Sequence, residues 1–145
     1  MKSPLRCQCG AVRGQVDLAQ AYGRAVCYCK HCQAFARLLN QERAVLNRRG
    51  GTEIIATLPA SIRFTAGLDQ VACMSLTDKG PLRWYASCCQ TPIGNTPKDA
   101  RVAYVGVIRA CLGSSPASID QALGPVKIAL NTKSARGGVS SFSVQ

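Results

Sequence analysis

The sequence predicts a mainly β fold with one substantial helix, and two patterns support this prediction. After residue 50 the chain is a series of short apolar runs bounded by glycine and proline, for example residues 54–58 and 102–108, as is typical of β-strands joined by turns. Residues 33–48, from Gln33 to Arg48, instead place apolar side chains three, four and seven positions apart and are followed by two glycines. This spacing predicts an amphipathic helix that ends at the glycine pair.

The other elements follow from the same rules in chain order. Residues 11–17 alternate apolar and polar side chains, which is a weak strand signal. Residues 112–125 are rich in glycine, serine and proline and predict a loop with at most one short helical turn. The glycine- and serine-rich residues 134–145 predict a flexible tail that begins at Ser134. The runs predicted as strands after the helix are 54–58, 62–65, 71–76, 82–86 and 102–108.

Length and composition favour a single soluble domain that spans residues 1–145. A chain of 145 residues, 47% hydrophobic and 17% charged, is long enough to bury a core and too apolar to be disordered. Its longest run of apolar residues and glycines, 102–108, is far shorter than the ~20 residues of a membrane-spanning helix. The first ten residues lack the apolar segment of a signal peptide. We therefore expect a cytoplasmic protein without a membrane partner.

Nine cysteines and a formal net charge of +11 are the unusual features of the composition. An odd number of cysteines in a reducing compartment favours metal binding or thiol chemistry over disulfide bonds. The first 50 residues contain five of the cysteines, and they carry nine lysines and arginines against two acidic residues. Much of the positive charge therefore lies close to the cysteines in sequence, which favours an anionic ligand or partner.

Two cysteine pairs lie far apart in the sequence. Alternate residues of a strand point to opposite faces, so Cys7 and Cys9 can face one metal ion only if the chain turns there. Gly10 permits the backbone conformation that such a turn needs. Cys88 and Cys89 are adjacent, and their Cα atoms, about 3.8 Å apart, are too close for an unstrained disulfide. Metal ligation by one or both is the favoured interpretation.

A third group, Cys27, Cys29 and Cys32, leads directly into the predicted helix. The Cys29-x-x-Cys32 spacing is that of a zinc knuckle, and a helix N-terminus favours the thiolate form that binds metal. His31 lies within this group, where a solvent-facing or supporting role is favoured over direct ligation.

The remaining cysteines and two aromatic residues have simpler interpretations. Cys73 and Cys111 lie in apolar runs, where a cysteine is usually a small buried hydrophobic residue. Trp84 and Tyr85, just before the last cysteine pair, are expected to belong to the core.

The order of the cysteine groups resembles that of the glutathione-dependent formaldehyde-activating enzyme family. The elements that carry the resemblance are CQCGAV at residues 7–12, CYCKHC at 27–32 and WYASCCQTPI at 84–93. Each is weak alone, but the three-part order is fairly specific and spans about residues 5–107. The resemblance implies a zinc-binding "β-tent" of antiparallel sheets with two zinc ions. Its structural site is closed by the first and last cysteine pairs, and its second site, with an open position, is held by the middle trio.

Carried over to this chain, the structural zinc site consists of Cys7, Cys9 and Cys89, with Cys88 as the fourth ligand. Ala86 stands where the family's C-x-x-C-G element has its first cysteine, and Gln90 replaces its glycine. We expect Cys88 to replace the missing ligand in a reshaped loop. We also expect the long helix to cover or narrow the second site, which consists of Cys27, Cys29 and Cys32.

The resemblance implies a carbon–sulfur lyase that forms or cleaves the S-hydroxymethyl adduct of a small anionic thiol, such as glutathione, with formaldehyde. One to two Zn²⁺ ions are the expected cofactor, and three thiolates with an open fourth position are the layout of a catalytic zinc site. The basic residues expected to bind the carboxylates of such a thiol flank the cysteines in sequence: Arg6, Arg13, Arg24, Lys30 and Arg37.

Two alternatives remain open. One is a non-catalytic, zinc-stabilised domain that binds an acidic partner. The other is a nucleic-acid-binding module that uses the same basic residues. Nucleic acid is disfavoured because the basic residues are spread out and aromatic residues, at 6%, offer few stacking platforms. The sequence does not indicate the oligomeric state.

Overall fold

The computed structural model describes residues 1–137 and 143–144 and confirms the mainly β fold. Two open sheets and three α-helices make up the described part of the chain. The helices are α1 (Lys30–Leu38), α2 (Glu42–Val45) and α3 (Pro116–Leu123). The strands are β1 (Lys2–Arg6), β2 (Arg13–Asp17), β3 (Gly23–Cys27), β4 (Thr52–Thr57), β5 (Ile62–Ala66), β6 (Val71–Met74), β7 (Leu82–Ala86), β8 (Thr91–Thr96), β9 (Val105–Ile108), β10 (Ile128–Leu130) and β11 (Ser143–Val144).

The first sheet is small and the second is long. Strands β1, β2 and β5 form the first sheet, in that order, and all its pairs are antiparallel. The second sheet has the order β10-β3-β4-β9-β8-β7-β6, and β11 extends it beyond β10. Its pairs are antiparallel except at this end, where β10 runs parallel to both β3 and β11. This parallel pair brings the C-terminal ends of β3 and β10 to the same edge.

The alternation of side chains along the strands divides the core into two main parts. Val107 and Ala86 face the first sheet and α3, where they join the largest apolar cluster. Their neighbours Ile108 and Tyr85 point to the opposite face and pack with Phe35 of α1 and with Leu39, the C-cap of that helix. Because successive residues of a strand point to opposite faces, the second sheet is covered by the first sheet on one side and by α1 on the other.

The helical segment differs from its predicted bounds. Instead of one helix over 33–48, α1 begins three residues earlier and ends at Leu38, and α2 is a separate single turn. Asn40 has a left-handed backbone with φ of 55°, and the amides of Asn40 and Gln41 bond back to the carbonyls of Arg37 and Ala36. These two hydrogen bonds, with Asn40 in the left-handed position, form a Schellman C-cap, which ends the helix.

Several elements were not predicted from the sequence, among them β1, β3, β8, β10, β11 and α3. Strand β8 contains Pro92 and Gly94, both unfavourable in strands. Pro92 is tolerated because it is not paired with β9, whose pairing with β8 begins at Gly94. On the other side, the register between β7 and β8 shifts beside Pro92. Strand β3 is short, and α3, capped by the Ser115 side chain, replaces part of the predicted loop.

Hydrogen bonds join residues near the end of the chain to the body of the protein. The Ser134 carbonyl accepts a hydrogen bond from Gln33 Nε2 at 3.0 Å, and the Arg136 amide donates to the Arg49 carbonyl at 2.8 Å. Of the predicted flexible tail, residues 138–142 and 145 lie outside the described residues. Within the described part of the chain, no helix has the length and apolar character needed to span a membrane.

The close approach of β2 and β5 gives a test of the first sheet. A Cβ atom at Gly14 would overlap the Arg63 carbonyl oxygen of β5 and lie 3.1 Å from Phe64 Cα. We expect Gly14→Ala to lower the free energy of unfolding by about 2 kcal/mol, since a rigid backbone must move. Gly23→Ala is the matched control, because its Cβ would meet only Ala56 Cβ, at 3.3 Å. Urea unfolding of both variants would contradict the expectation if Gly23→Ala were the more damaging.

Candidate functional site

Seven of the nine cysteines assemble into two groups in space. Within each group the sulfur atoms all lie within 4.8 Å of one another, so each group could hold a metal ion. We call Cys7, Cys9, Cys88 and Cys89 the four-cysteine cluster. We call Cys27, Cys29 and Cys32 the three-cysteine cluster.

A tight turn between β1 and β2 supplies the first half of the four-cysteine cluster. The Gly10 amide bonds to the Cys7 carbonyl at 3.1 Å, and Gly10 itself has φ of +81°, a conformation that glycine adopts without steric cost. The turn brings the sulfurs of Cys7 and Cys9 to 3.7 Å from each other. The pair can therefore face one ion, as a strand would not allow.

The turn between β7 and β8 supplies the second half. Cys88 Sγ lies 3.4 Å from Cys9 Sγ, 3.8 Å from Cys7 Sγ and 3.9 Å from Cys89 Sγ. Cys88 thus belongs to the cluster, while Ala86 is fully buried in the core.

Hydrogen bonds and desolvation give the thiols of this cluster unequal pKa values. Desolvation of Cys89 is outweighed by hydrogen bonds from the Thr91 hydroxyl and the Cys9 backbone, which lower the pKa of Cys89 to about 6. Desolvation, followed by hydrogen bonds with Cys9 and Cys7, raises the pKa of Cys88 to about 12. The Cys7 sulfur accepts from the Val12 amide at 3.2 Å. A thiolate is therefore already favoured at one member of the cluster.

The three-cysteine cluster forms where β3 passes into α1. Cys27 ends β3, Cys29 is the N-cap of α1, and Cys32 lies in the first turn of that helix. The sulfurs of Cys29 and Cys32 are 2.8 Å apart, and those of Cys32 and Cys27 are 3.7 Å apart. The positive end of the helix dipole favours negative charge at this position.

Each sulfur of the three-cysteine cluster has its own hydrogen-bond donor. Asn131 Nδ2 donates to Cys27 Sγ at 3.3 Å, and the Cys32 amide donates to Cys29 Sγ at 3.2 Å. Arg83 Nη1 lies 3.7 Å from Cys32 Sγ. Asn131 reaches its position because β10 runs parallel to β3 and pairs Leu130 with Cys27. Three separate donors aimed at three sulfurs are the arrangement that stabilises thiolates.

The proximity of the three thiols makes their acidities unequal. Hydrogen bonds from Cys29 and then Cys32 hold the pKa of the Cys27 thiol far below its ordinary value. The hydrogen bonds that Cys29 and Cys32 make with Cys27 raise the pKa of both. One proton therefore leaves the cluster easily, and the resulting negative charge opposes loss of the others unless a cation enters.

A cavity of about 700 Å³ opens onto the three-cysteine cluster. Cys27 and Cys32 line it, together with Tyr104 and the basic residues Arg24, Lys79, Arg83 and Lys98. The four-cysteine cluster borders a smaller hollow of about 250 Å³, lined by Cys7. The three-cysteine cluster is thus the one that a small molecule can approach through a large cavity.

The basic residues singled out from the sequence lie in several places. Arg6 and Arg13 approach Gly10, which lies in the turn beside the four-cysteine cluster. Arg13 Nε donates to the Gly10 carbonyl at 2.8 Å. Arg24 lines the cavity, but its guanidinium is paired with Glu53 at 3.1 Å and Asp120 at 2.7 Å. Lys30 and Arg37 are exposed on α1. Among these five residues, Arg24 is the one that lines the cavity.

Other predictions about single residues have mixed outcomes. Cys111 is buried, as expected, and burial raises the pKa of its thiol to about 12. The prediction for Cys73 is wrong: Cys73 is exposed, and it lies on β6, the edge strand of the second sheet. His31 is exposed and does not belong to the three-cysteine cluster. Trp84 and Tyr85 pack against the two parts of the core.

Arg83 and Asn131 are functional candidates that sequence reasoning missed. Arg83 gave one usable signal, since it is a lone charged residue inside an otherwise apolar predicted strand. Asn131 gave no sequence signal. It reaches Cys27, 104 residues away in the sequence, only because two distant strands pair.

Comparison with known proteins gives a family and a fold. The profile of a family described as "Family of unknown function (DUF6151)" matches residues 1–143. A search of curated proteins found no match. Among solved structures, the chain is similar to the crystal structure of a Rhodobacter sphaeroides protein, a Northeast Structural Genomics target. The two share 20% sequence identity with a TM-score of 0.55, over 87% of this chain and 97% of the other. At this identity the similarity supports the fold alone.

The turn that carries Cys88 and Cys89 contains a residue, Gln90, whose backbone strain a substitution can relieve. Gln90 has φ of 62° and its amide bonds to the Ala86 carbonyl at 2.8 Å, so a non-glycine residue occupies the left-handed region. We expect Gln90→Gly to raise the free energy of unfolding by about 0.5–1 kcal/mol. Gln90→Ala removes the same side chain without freeing the backbone and should give no gain. Equal thermal stabilisation by both variants would contradict the strain.

Proposed function

The chain belongs to the family of unknown function DUF6151, and from its two cysteine clusters we propose that it is a zinc-dependent carbon–sulfur lyase. It would form or cleave the S-hydroxymethyl adduct of a small anionic thiol, such as glutathione, with formaldehyde. The proposal rests on one observation in particular: Cys27 and Cys32 of the three-cysteine cluster line a cavity of about 700 Å³. A cytoplasmic location agrees with it, because the thiols must stay reduced to bind metal.

The spacing of the sulfurs supports zinc as the metal. Four thiolates at 2.3 Å from a tetrahedral zinc ion lie about 3.8 Å from one another. The four contacts in the four-cysteine cluster measure 3.4–3.9 Å. In the three-cysteine cluster Cys27 and Cys32 are at 3.7 Å, while Cys29 and Cys32, at 2.8 Å, would have to separate by about 1 Å to match that spacing. All-sulfur donor sets also favour zinc over hard cations.

The two clusters fit different roles. Four thiolates complete a tetrahedral shell and leave no position for a substrate, which is the layout of a structural zinc site. Three thiolates leave one position, and here that position would face the cavity. The four-cysteine cluster would contribute folding free energy, because it joins turns about 80 residues apart, as the Cys7–Cys88 separation of 81 indicates. The three-cysteine cluster would carry the chemistry.

The proposed reaction needs a thiolate and a polarised carbonyl in one place. The thiol sulfur forms a bond to the formaldehyde carbon, the carbonyl π pair moves to oxygen, and that oxygen takes a proton; cleavage is the reverse. Zinc, when bound, supplies a Lewis acid for these steps. The chain itself contributes the cavity that orients the two reactants and the hydrogen-bond donors Asn131 and Arg83, which hold the sulfurs of Cys27 and Cys32 in place.

The charge around the cavity favours an anionic thiol. Lys79 and Lys98 are exposed, and both line the cavity together with the buried Arg83. A thiol that carries carboxylates, as glutathione does, could place its sulfur at the three-cysteine cluster and a carboxylate near these lysines. Arg24 would contribute less, because it already has two carboxylate partners.

Metal content separates the two clusters. We expect about two zinc ions per wild-type chain purified under reducing conditions. Cys29→Ser should lose one zinc and keep most of its stability, because the three-cysteine cluster closes no long loop. Cys9→Ser should lose the other zinc and also lower the thermal midpoint by several degrees. Elemental analysis and thermal unfolding of each variant are the measurements.

Two further variants sharpen this test. If Cys88 has replaced the ligand missing at Ala86, then Cys88→Ser and Cys89→Ser should reduce zinc content and stability similarly. Cys73→Ser is the matched control, since Cys73 is an exposed cysteine outside both clusters, and it should retain both ions. The assignment fails if Cys29→Ser unfolds the chain while Cys9→Ser leaves zinc and stability unchanged.

Activity is the second test. Exchange NMR with ¹³C-formaldehyde and glutathione should reveal faster interconversion with S-hydroxymethylglutathione when the wild-type protein is present. Cys27→Ser and Cys29→Ser should reduce the catalysed rate at least about 100-fold, since loss of a ligand costs more than loss of its supporting contacts. Cys73→Ser should retain the wild-type rate.

Two other results would favour the alternative, a non-catalytic zinc-stabilised binding domain. One is a protein that binds both zinc ions but leaves the exchange rate unchanged. The other is micromolar or tighter binding to RNA or DNA that weakens steeply with salt, which would indicate a nucleic-acid partner.

A further inference from the structure

Arg83 is a buried cation that has no carboxylate partner among the described residues. Its exposed fraction is 4%, and within residues 1–137 no carboxylate oxygen lies within 4.0 Å of its guanidinium. Its described contacts are Asn95 Oδ1 at 3.4 Å, Cys32 Sγ at 3.7 Å and the ring of Phe35, whose centroid is 5.7 Å away. An arginine remains charged at every accessible pH, so this charge needs compensation that the neutral amide and the ring do not provide.

Arg24, on the wall of the same cavity, illustrates the usual solution. Its side chain is 8% exposed and is paired with both Glu53 and Asp120. A buried charge that lacks such a partner strongly destabilises the folded state. For Arg83 the remaining polar neighbour is the sulfur of Cys32, which belongs to a cluster whose three sulfurs each face a separate donor.

We propose that Arg83 is the counterion of the three-cysteine cluster and that it selects an anionic ligand, a thiolate, for the open position facing the cavity. Arg83 is thus a positioning residue that determines specificity, and the inference rests on the proposed metal site. Three thiolates and one divalent zinc carry a net charge of −1, which Arg83 balances. A thiolate entering as the fourth ligand adds a second negative charge in a partly desolvated site, where interactions between charges are strong. Without Arg83, a neutral ligand would be favoured instead.

Strand alternation explains how Arg83 comes to this position. Trp84 and Ala86 point to the face of β7 that meets the first sheet, so Arg83 and Tyr85 point to the face covered by α1, where Cys32 lies. Asn95 of β8 is paired with Arg83 in the sheet register, and its Oδ1 accepts a hydrogen bond from the guanidinium.

The test compares an anionic and a neutral ligand on protein loaded with Co²⁺, whose visible absorption reports ligand exchange. 2-Mercaptoethanol, which binds as its thiolate, and imidazole are the two probes. Arg83→Met should weaken 2-mercaptoethanol binding at least about tenfold and change imidazole binding by no more than about twofold. Arg83→Lys, which keeps the charge, should retain most of the preference for thiolate. Arg101→Gln is the control, since Arg101 is exposed and paired with Asp99, and both affinities should remain at the wild-type values.

The outcomes distinguish this inference from the proposed function. A wild-type chain that takes up no Co²⁺ at the three-cysteine cluster overturns both. Normal Co²⁺ uptake, with equal changes for the two probes in Arg83→Met, overturns the inference alone. If Arg83→Met does not fold, Arg83→Lys and the wild type still decide the matter. A folded lysine variant that has lost the preference for thiolate would overturn the role of charge.

Discussion

The convergence of two turns on four sulfur atoms is the constraint on which the rest of the structure depends. One turn joins β1 to β2 in the first sheet, and the other joins β7 to β8 in the second. Their sulfurs approach to 3.4–3.8 Å, so this contact ties the two sheets together at one end. Cys9 and Cys88 are exposed, and the burial of apolar surface therefore contributes little there. A shared metal ion would supply the attraction that exposed thiols lack.

Helix α1 connects this contact to the second cluster. Cys29 caps the start of the helix and Cys32 lies in its first turn. The loop after the helix carries Gln41, which exchanges hydrogen bonds with the Gln8 side chain and donates to the Cys89 carbonyl at 3.3 Å. Nine residues of helix span about 14 Å, so the two clusters lie at opposite ends of one short rigid element. The early end of α1 at Asn40 makes this possible, because a helix continuing to Arg48 could not turn back toward the cysteine turns.

The sequence predicts features that depend on local spacing and fails where the chain must meet a distant segment. The mainly β fold and the bounds of β7 follow from short apolar runs, and the turn at Gly10 follows from its Cys-x-Cys-Gly motif. Strand β8 was missed because Pro92 and Gly94 obey a tertiary register that overrides propensity. The same limit applies to the site. The cysteines are evident from their grouping, whereas Asn131 reaches Cys27 only through the parallel pairing of β3 and β10.

Burial, more than sequence, distinguishes the two clusters chemically. Both gather thiols in a chain of net charge +11, but their neighbouring cations differ. Arg6 and Arg13, beside the four-cysteine cluster, are exposed, so water and salt share in screening that cluster. Arg83, beside the three-cysteine cluster, is buried, and the charge balance there depends on this one side chain. A cluster screened by solvent tolerates a fixed, complete set of ligands. In the proposed function, a cluster balanced by one buried guanidinium would respond to the charge of whatever enters the cavity, as a site for an anionic substrate requires.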